Sequence, residues 1–255
     1  MPILEPTVTV ICRPAFDEPH VDRWLDLNKS AWKGRHGSDA EILSEFAGRI
    51  CYMSFGKGQG TKGTGQYLEN ILLQEHGSVL EHASFSLLIE GVSRSLTHEL
   101  VRHRVGTAYS QLSQRYVDES AVQVVVPPLY THDTLMLDYF TKLEQTIREN
   151  YVDVVVYNEN RLRESDLSLS KKDLRKRARE AARSILPNCV ETKLVMTANI
   201  RTWRWLCELR GSKAAEAEIR RLFVVITQLL QKEIPLLMSD MKVVNGIVTV
   251  THRKV

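Results

Sequence analysis

The sequence contains few cysteines, and those it has lie far apart. Four occur among 255 residues, and none belongs to a Cys-x-x-Cys pair. This spacing excludes a zinc ribbon and a dense disulfide framework, and it favours the reduced thiols of a cytoplasmic protein. The chain also lacks an apolar run near the ~18 residues of a membrane span, and its first residues do not resemble a secretion signal. We therefore expect a soluble cytoplasmic protein without a membrane partner.

Charge of one sign is also scarce. The formal net charge is only +3 at pH 7, so the sequence does not require a polyanionic partner and we expect no binding to nucleic acid. With 43% apolar and 25% charged residues, the chain can bury a sizeable core, which excludes intrinsic disorder. We predict a single α+β domain over residues 1–255, in which a helical C-terminal half packs with a mostly antiparallel sheet.

Hydrophobic periodicity predicts where the helices and strands lie. Strands are predicted at residues 7–13, 83–90 and 121–126, and helices at 21–33, 40–53, 67–74, 93–104, 135–163, 171–185 and, as a pair, within 202–239. The segment 194–200 fits either a strand or a helix. Five of the thirteen glycines lie between Phe55 and Gln66, which predicts a mobile loop there.

Several familiar motifs are absent or stand in the wrong place. Residues 58–63 match G-x-G-x-x-G, but they follow a helical pattern rather than a strand, so they are a weak dinucleotide fingerprint. His98 and Glu99 begin like a metalloprotease helix, yet the next histidine, His103, lies about 140° round the helix and cannot share one zinc with His98. Neither a P-loop nor a G-x-S-x-G nucleophile elbow occurs. We predict no metal site.

The densest polar chemistry is the triplet 102–104, Arg-His-Arg, followed by the stretch from Ser110 to Arg115. Alone, the triplet is typical of a basic last turn of a helix that Gly106 closes. The following stretch changes this interpretation because it adds another guanidinium together with serine and glutamine side chains. Arginine forks bind phosphate oxygens, and amides pair with ring carbonyls and imides. A nucleotide carries both kinds of group, so we predict a nucleotide site.

A second set of polar residues comprises Arg183, Asn199, Arg201 and Arg210. Arg175 and Arg179 precede this set on one helix face, and we interpret them as a solvated stripe paired with Asp173 and Glu180. The segment 76–82 contains two histidines, for which a structural role is as well supported by spacing as a functional one.

In these segments the sequence resembles the flavin-dependent (alternative) thymidylate synthases. The signature of that family is Arg-His-Arg, seven or eight residues, Ser, and an Arg two positions later. Here the triplet 102–104 is followed after eight residues by Ser113 and then by Arg115. The resemblance spans about residues 46–234. It includes the segments 78–82, 91–104, 124–128 and 182–187, and the spaced Asn199, Arg201 and Arg210.

The resemblance implies a homotetramer that binds FAD, dUMP and methylenetetrahydrofolate at sites shared between subunits and uses NADPH to reduce the flavin. The positions assigned to the flavin are Ser78, Arg102, His103, Arg104, Gln111, Asn199, Arg201 and Trp205. The positions assigned to dUMP are Glu99, Arg102, Gln111, Leu112, Ser113, Gln114, Arg115, Arg183 and Arg210, and His76 matches a histidine near the folate and the flavin. Two residues depart from the family pattern: Trp205 stands where relatives often carry histidine or asparagine, and Ala214 replaces a histidine common after Arg210.

The implied reaction, reductive methylation of dUMP to dTMP, gives Arg210 a catalytic role. Methylation at uracil C5 requires electron density on the ring, and a fixed guanidinium can stabilise an ionised N3. Hydride transfer belongs to the flavin, which the protein orients against the pyrimidine. Two alternatives stay open: a nucleic-acid-binding module that uses the same arginines on phosphates, and a hydrolase that uses Ser113 without an evident base. We assign all four cysteines to packing.

Overall fold

The computed structural model describes residues 3–60, 62–253 and 255, and it has the predicted α+β class. The chain groups into two compact units. The first unit contains the residues up to Thr7, Ile89–Arg102 and Ser110–Leu194; the second contains Val8–Leu88, His103–Tyr109 and Val195–Val255. That the whole chain acts as one domain stays a prediction.

Six strands form two sheets in the described residues. The larger sheet contains β1 (Thr7–Cys12), β2 (Ser84–Ser93), β3 (Thr107–Gln111) and β4 (Glu191–Asn199), in the order β1-β2-β4-β3. The strands predicted at 7–13 and 83–90 are confirmed, and the segment 194–200 is a strand up to Asn199. In β2, Phe85, Leu87 and Ile89 are buried at alternate positions, as the sequence pattern predicts.

The smaller sheet is an antiparallel hairpin of β5 (Met241–Val244) and β6 (Ile247–Val250). Val244 pairs with Ile247, so Asn245 and Gly246 form a two-residue loop, and both have the positive φ that such a loop requires (51° and 69°). The prediction omitted this hairpin although Asn-Gly between apolar runs is a strong signal for one.

Eight α-helices occur in the described part of the chain. They are α1 (Glu18–Leu27), α2 (Asp39–Tyr52), α3 (Thr64–Leu73), α4 (Arg94–Leu100), α5 (Thr134–Ser165), α6 (Lys171–Ala182), α7 (Ile200–Arg210) and α8 (Ala217–Glu233). The helical C-terminal half is therefore confirmed. None of these helices combines the length and the apolar character that crossing a membrane would require.

Two predicted elements, a helix and a strand, differ from the structure. The helix predicted at 21–33 ends at Leu27, because Lys29 adopts a positive φ of 49° that a helix does not allow. Trp32 lies in the loop that follows; its side chain is buried, and its indole N–H donates to Glu45 at 3.1 Å. The segment 121–126 makes only an isolated bridge, between Val124 and Val190. Its alternating valines are buried in a cluster with side chains of α5, which explains their strand-like pattern.

The glycine-rich interruption is shorter than predicted. Gly56–Gln59 forms a 3-10 turn, and α3 already begins at Thr64. The Gln59 side chain holds the turn, because its amide donates to the Lys33 carbonyl at 2.5 Å and its oxygen accepts from the Lys33 N–H at 3.0 Å. Thr61 lies outside the described residues.

Candidate functional site

The start of α7 is fixed by two hydrogen bonds. The Asn199 carboxamide oxygen accepts from the Thr202 N–H at 2.9 Å, which caps the helix, and the Ile200 N–H donates to the Ala83 carbonyl at 3.0 Å. Arg201 follows in the first turn and forms an ion pair with Glu81 at 2.5 Å. Asn199 and Arg201, which are both assigned to the flavin, therefore stand close together at the start of α7.

Arg201 also lines a cavity of about 530 Å³ in the second unit. His76 and Ser78, both predicted site residues, line the same cavity, as do Ser54 and Tyr67. Sequence reasoning missed these last two because neither belongs to a recognisable motif. A cavity of this size lies within the range of about 300–1,000 Å³ that is usual for cofactor sites, and its polar lining offers hydroxyl, imidazole and guanidinium groups.

Tyr67 is held in the cavity wall by a contact with Arg49. Its ring lies 4.5 Å beneath the Arg49 guanidinium carbon, and Arg49 is paired with Glu45 at 2.6 Å. Both members of this ion pair are buried, and Arg49 also donates to the Ser54 carbonyl at 2.9 Å. The pair therefore positions two residues of the cavity wall. Burial raises the pKa of Tyr67 above its usual value, so its hydroxyl stays protonated.

The Arg-His-Arg triplet does not lie on a helix, contrary to prediction. α4 ends at Leu100, and the chain then turns into β3, a strand that was not predicted. The His103 carbonyl accepts from the hydroxyls of Thr107 and Tyr109, each at 2.7 Å, and these bonds replace the helical ladder. Gly106 has φ +69°, and a Cβ there would stand 2.6 Å from the Thr202 hydroxyl, so the turn packs closely on α7.

This turn brings His103 against two predicted site residues of α7. The Arg210 Nε–H donates to His103 Nε2 at 2.8 Å, across 107 positions of sequence. The imidazole also meets the Trp205 ring edge to face, with 5.2 Å between centroids. Trp205 keeps 41% of its surface exposed, so the indole can still stack on a planar ligand.

The hydrogen bond with Arg210 defines the protonation of His103. Because Nε2 accepts, the ring is neutral and carries its proton on Nδ1. Burial, and then the positive charge of Arg210, lower the pKa of His103 below its ordinary value of 6.5. His103 is therefore neutral at physiological pH. Arg104, the next residue of the triplet, is exposed.

A second group of predicted residues lies in the first unit, on and after β3. The Gln111 side-chain N–H groups donate to the hydroxyls of Thr97 (3.0 Å) and Thr192 (3.2 Å). The Leu112 N–H donates to the Lys193 carbonyl at 2.9 Å, and its own carbonyl accepts from Arg94 at 3.4 Å. These bonds fix the backbone that leads to Ser113 and Arg115.

Ser113, Gln114 and Arg115 form the turn that follows. The Arg115 N–H lies 3.4 Å from the Ser113 hydroxyl, and the Arg115 guanidinium forms an ion pair with Glu180 of α6. Gln114 is buried, and its Nε2 has no hydrogen-bond partner among the described residues. Glu99 is half-buried on α4, while Arg102 and Arg183 are exposed in the same unit.

Arg94 and Glu119 belong beside this group, although the sequence reasoning did not select them. Burial lowers the pKa of Arg94 and raises the pKa of Glu119. The charge of each residue acts on the pKa of the other in the opposite direction, but burial has the larger effect. The second perturbing charge on Arg94 is Arg183. Perturbed charges of opposite sign next to predicted ligand residues are typical of functional sites.

The predicted pairing of the stripe on α6 is wrong. Arg179 pairs with Asp118 at 2.6 Å rather than with a neighbour on its own helix, and Glu180 pairs with Arg115. Neither Asp173 nor Glu180 stands three or four positions from Arg175 or Arg179, and these are the separations at which side chains meet on a helix surface.

Two cysteines were also assigned wrongly to packing. Cys12 and Cys51 are exposed, whereas Cys207 is fully buried. Burial raises the pKa of the Cys207 thiol to about 12. A thiol in this state is not a nucleophile at neutral pH, so the thiol nearest in sequence to Arg210 is structural.

Within the described residues, no three His, Cys, Asp or Glu side chains are grouped so as to hold a metal ion.

Comparison with known proteins identifies the family. Residues 35–236 match the family described as thymidylate synthase complementing protein. The chain is 44% identical over 203 residues to a flavin-dependent thymidylate synthase of Mycolicibacterium vanbaalenii, which covers 79% of this chain and 80% of the relative. Similar matches are flavin-dependent thymidylate synthases of Mycobacterium leprae (42% identity, 79% and 80% covered) and Corynebacterium diphtheriae (39% identity, 80% and 79% covered).

The chain therefore belongs to the thymidylate synthase complementing protein family, and it is an enzyme of the flavin-dependent thymidylate synthase class.

Proposed function

We propose that the protein converts dUMP to dTMP, with methylenetetrahydrofolate as the carbon donor and NADPH-reduced FAD as the hydride donor, in the cytoplasm and as a homotetramer. The observation that carries this proposal is the 2.8 Å hydrogen bond from Arg210 to His103. It joins the signature triplet to a distant arginine that the same family resemblance assigns to the nucleotide. If the match to the short motif were due to chance, there would be no reason to expect His103 and Arg210 to be in contact.

The second unit suits the flavin. Its cavity presents Arg201, Ser78 and His76 to a phosphate-bearing ligand, and Trp205 offers an exposed aromatic face. When bound, FAD supplies the hydride. The role of the protein is to hold the flavin. The Asn199 cap fixes the start of α7 and so positions Arg201. The N-terminus of a helix also favours the negative charge of phosphate groups.

Arg210 suits the electrostatic role in catalysis. A guanidinium stays protonated at any working pH, so it can stabilise the negative charge that an ionised pyrimidine N3 carries. The neutral His103 holds one N–H of Arg210 in a fixed direction. A preorganised donor of this kind stabilises developing charge without reorganising during the reaction.

The first unit suits the dUMP phosphate. The turn at residues 113–115 presents a hydroxyl and a guanidinium, and Arg94 and Arg183 add positive charge beside it. Among the residues that the structure describes, no base is in hydrogen-bond contact with Ser113, so we assign its hydroxyl to binding rather than to attack. The resemblance to the family implies that complete sites combine residues of different subunits.

The test is flavin binding followed by turnover. Protein purified with excess FAD should be yellow and should form dTMP, measured by chromatography, only when dUMP, methylenetetrahydrofolate and NADPH are all present. Arg201→Ala should lose flavin affinity. Arg253→Ala is the matched control, because it also removes an arginine from an Arg–Glu ion pair of the second unit but does not line the cavity.

Two results would overturn the proposal. A native protein that quenches no flavin fluorescence at saturating FAD would favour the nucleic-acid-binding alternative. Equal losses in Arg201→Ala and Arg253→Ala would show that the cavity is not the flavin site.

A further inference from the structure

One face of α6 is strongly basic. Lys172, Arg175, Lys176 and Arg179 stand at i, i+3, i+4 and i+7, which places them on the same side of the helix. Together with Arg115 and Tyr116 they line a cavity of about 350 Å³ in the first unit, and no acidic side chain is among its lining residues. We call this cavity the α6 pocket.

The α6 pocket keeps an excess of positive charge. Arg115 is paired with Glu180, and Arg179 with Asp118. The other three cations, Lys172, Arg175 and Lys176, have no carboxylate within ion-pair distance in the part of the chain that the structure describes. Like charges four residues apart on a helix repel each other. An anion in the pocket would relieve this repulsion and stabilise the helix.

The shape of the pocket indicates which anion fits. Lys172 and Arg179 are separated by seven helical steps, or about 10 Å along the axis, so a chain of linked phosphates that follows the helix can contact more of these cations than a single phosphate can. Tyr116 is 55% exposed, and its ring is flanked by the Arg115 guanidinium at 5.6 Å and the Lys176 ammonium at 5.4 Å. An aromatic ring next to cations is the usual platform for a base attached to phosphates.

We propose that the α6 pocket binds linked phosphate groups, as a nucleoside triphosphate or inorganic polyphosphate carries them. The volume lies at the lower end of the range of about 300–1,000 Å³ for small-molecule sites, which favours a compact ligand over a nucleic acid strand. Two features favour linked phosphates. Lys172, Arg175 and Lys176 are cations without a paired carboxylate in the described part of the chain, and the exposed ring of Tyr116 offers a stacking surface next to them. The pocket shares Arg115 with the turn that the proposed function assigns to the dUMP phosphate, whereas Lys172, Arg175 and Lys176 belong to the pocket alone.

Calorimetric titration of the flavin-loaded protein with tripolyphosphate and with magnesium-free ATP tests the proposal. The pocket variant is Lys172→Ala/Lys176→Ala. Lys171→Ala/Arg177→Ala is the matched control, because it removes the same charge from the same helix at positions that do not line the pocket. We expect the pocket variant to bind both compounds at least about tenfold more weakly, a change of about 1.4 kcal/mol, and the control variant to bind them nearly as the native protein does.

The two sources of linked phosphates are distinguished by Tyr116→Ala. A loss of affinity for ATP alone identifies a nucleotide ligand, and no loss for either compound identifies the phosphate chain as the whole ligand; both results support the proposal. Absence of binding at millimolar concentrations overturns it, as do equal losses in the pocket and control variants. If a single-stranded oligonucleotide binds more tightly than tripolyphosphate, and if the pocket variant and the control variant weaken its binding equally, the helix carries an extended nucleic-acid surface instead.

Titration with dUMP separates this proposal from the proposed function. The pocket variant should bind dUMP as the native protein does, because neither lysine is assigned to that substrate. If the affinity for dUMP falls as much as that for tripolyphosphate, the pocket is part of the dUMP site and the α6 proposal is wrong, while the proposed function stands.

Discussion

Two replacements of His103 separate its hydrogen bond from its ring contact. In the native protein, His103 Nε2 accepts from Arg210 at 2.8 Å, and the ring packs against Trp205. Glutamine retains an acceptor oxygen but loses the ring. Phenylalanine retains an aromatic ring but cannot accept a hydrogen bond. The pair therefore tests whether His103 acts by orienting Arg210.

The expected size of the effect follows from the bond that is lost. A hydrogen bond to a charged group contributes about 1.5–3 kcal/mol. If this orientation is used in the transition state, His103→Phe should lower kcat by about 10- to 150-fold, at about 1.4 kcal/mol for each factor of ten. His103→Gln should lose less. Flavin affinity should fall less in His103→Phe than in His103→Gln, because only phenylalanine can preserve the ring contact with Trp205.

The pH dependence supplies a second readout. The pKa of His103 lies below 6.5 in the folded protein, so the ring resists protonation until the pH falls below that value. Activity should then decline in acid, since a protonated ring cannot accept from Arg210. The free energy of unfolding should fall as pH drops from about 6.5 towards the folded pKa, because in that window the unfolded chain binds a proton that the folded protein does not. His103→Gln should lack both effects.

The orienting role of His103 is tested by measuring turnover at saturating substrates between about pH 5 and pH 8. Flavin absorbance and thermal unfolding are measured over the same range. Unchanged kcat in His103→Phe would refute the orienting role. An acid decline that persists in His103→Gln would assign the titration to another group.

Three further results are expected. Arg49→Met should lower the free energy of unfolding by about 3–5 kcal/mol in denaturant titration, because it leaves Glu45 buried and unpaired; replacing Glu45 by Gln as well should restore part of the loss, and an additive loss would contradict this. Cys207→Ala should fold and keep its turnover, since a thiol with a pKa of about 12 takes no part in chemistry; a folded but inactive variant would disprove the structural assignment. Arg115→Ala should weaken dUMP binding in calorimetry by about 1.5–3 kcal/mol and leave kcat nearly unchanged; a fall in kcat alone would argue against a role in binding.

Periodicity predicted the elements whose burial is regular. β2 alternates buried and exposed side chains, and α5 and α6 were found close to their predicted limits. It failed at the Arg-His-Arg triplet, because hydroxyls of Thr107 and Tyr109 bind the His103 carbonyl and end the helical path. Such side-chain bonds to the backbone leave no periodic signal. The same limit applies to segment 121–126, where alternation reflects packing against α5 rather than strand pairing.

The candidate site was only partly accessible from the sequence for a related reason. Motifs select residues of the right chemistry, so His103, Arg201 and Arg210 were identified. Motifs do not indicate which side chains meet, and the contact of His103 with Arg210 joins residues 107 positions apart. Residues that complete a surface without reacting, such as Tyr67 and Ser54, carry no motif and become visible only when the cavity is formed.

The ion pair between Arg115 and Glu180 gives a last prediction, which rests on the role of Arg115 in binding dUMP. Arg115 is 42% exposed and Glu180 30% exposed, so the pair contributes at most about 1 kcal/mol. A phosphate that recruits Arg115 must compete with this carboxylate. Glu180→Gln removes the competitor and one negative charge near the substrate, and it should therefore lower the KM for dUMP by up to about fivefold with kcat unchanged. Asp118→Asn, which removes the carboxylate paired with Arg179 on the same helix, is the matched control and should leave KM almost unaltered. A higher KM in Glu180→Gln would mean that Glu180 holds Arg115 in its binding position, and that the pair is part of the substrate site rather than a competitor for it.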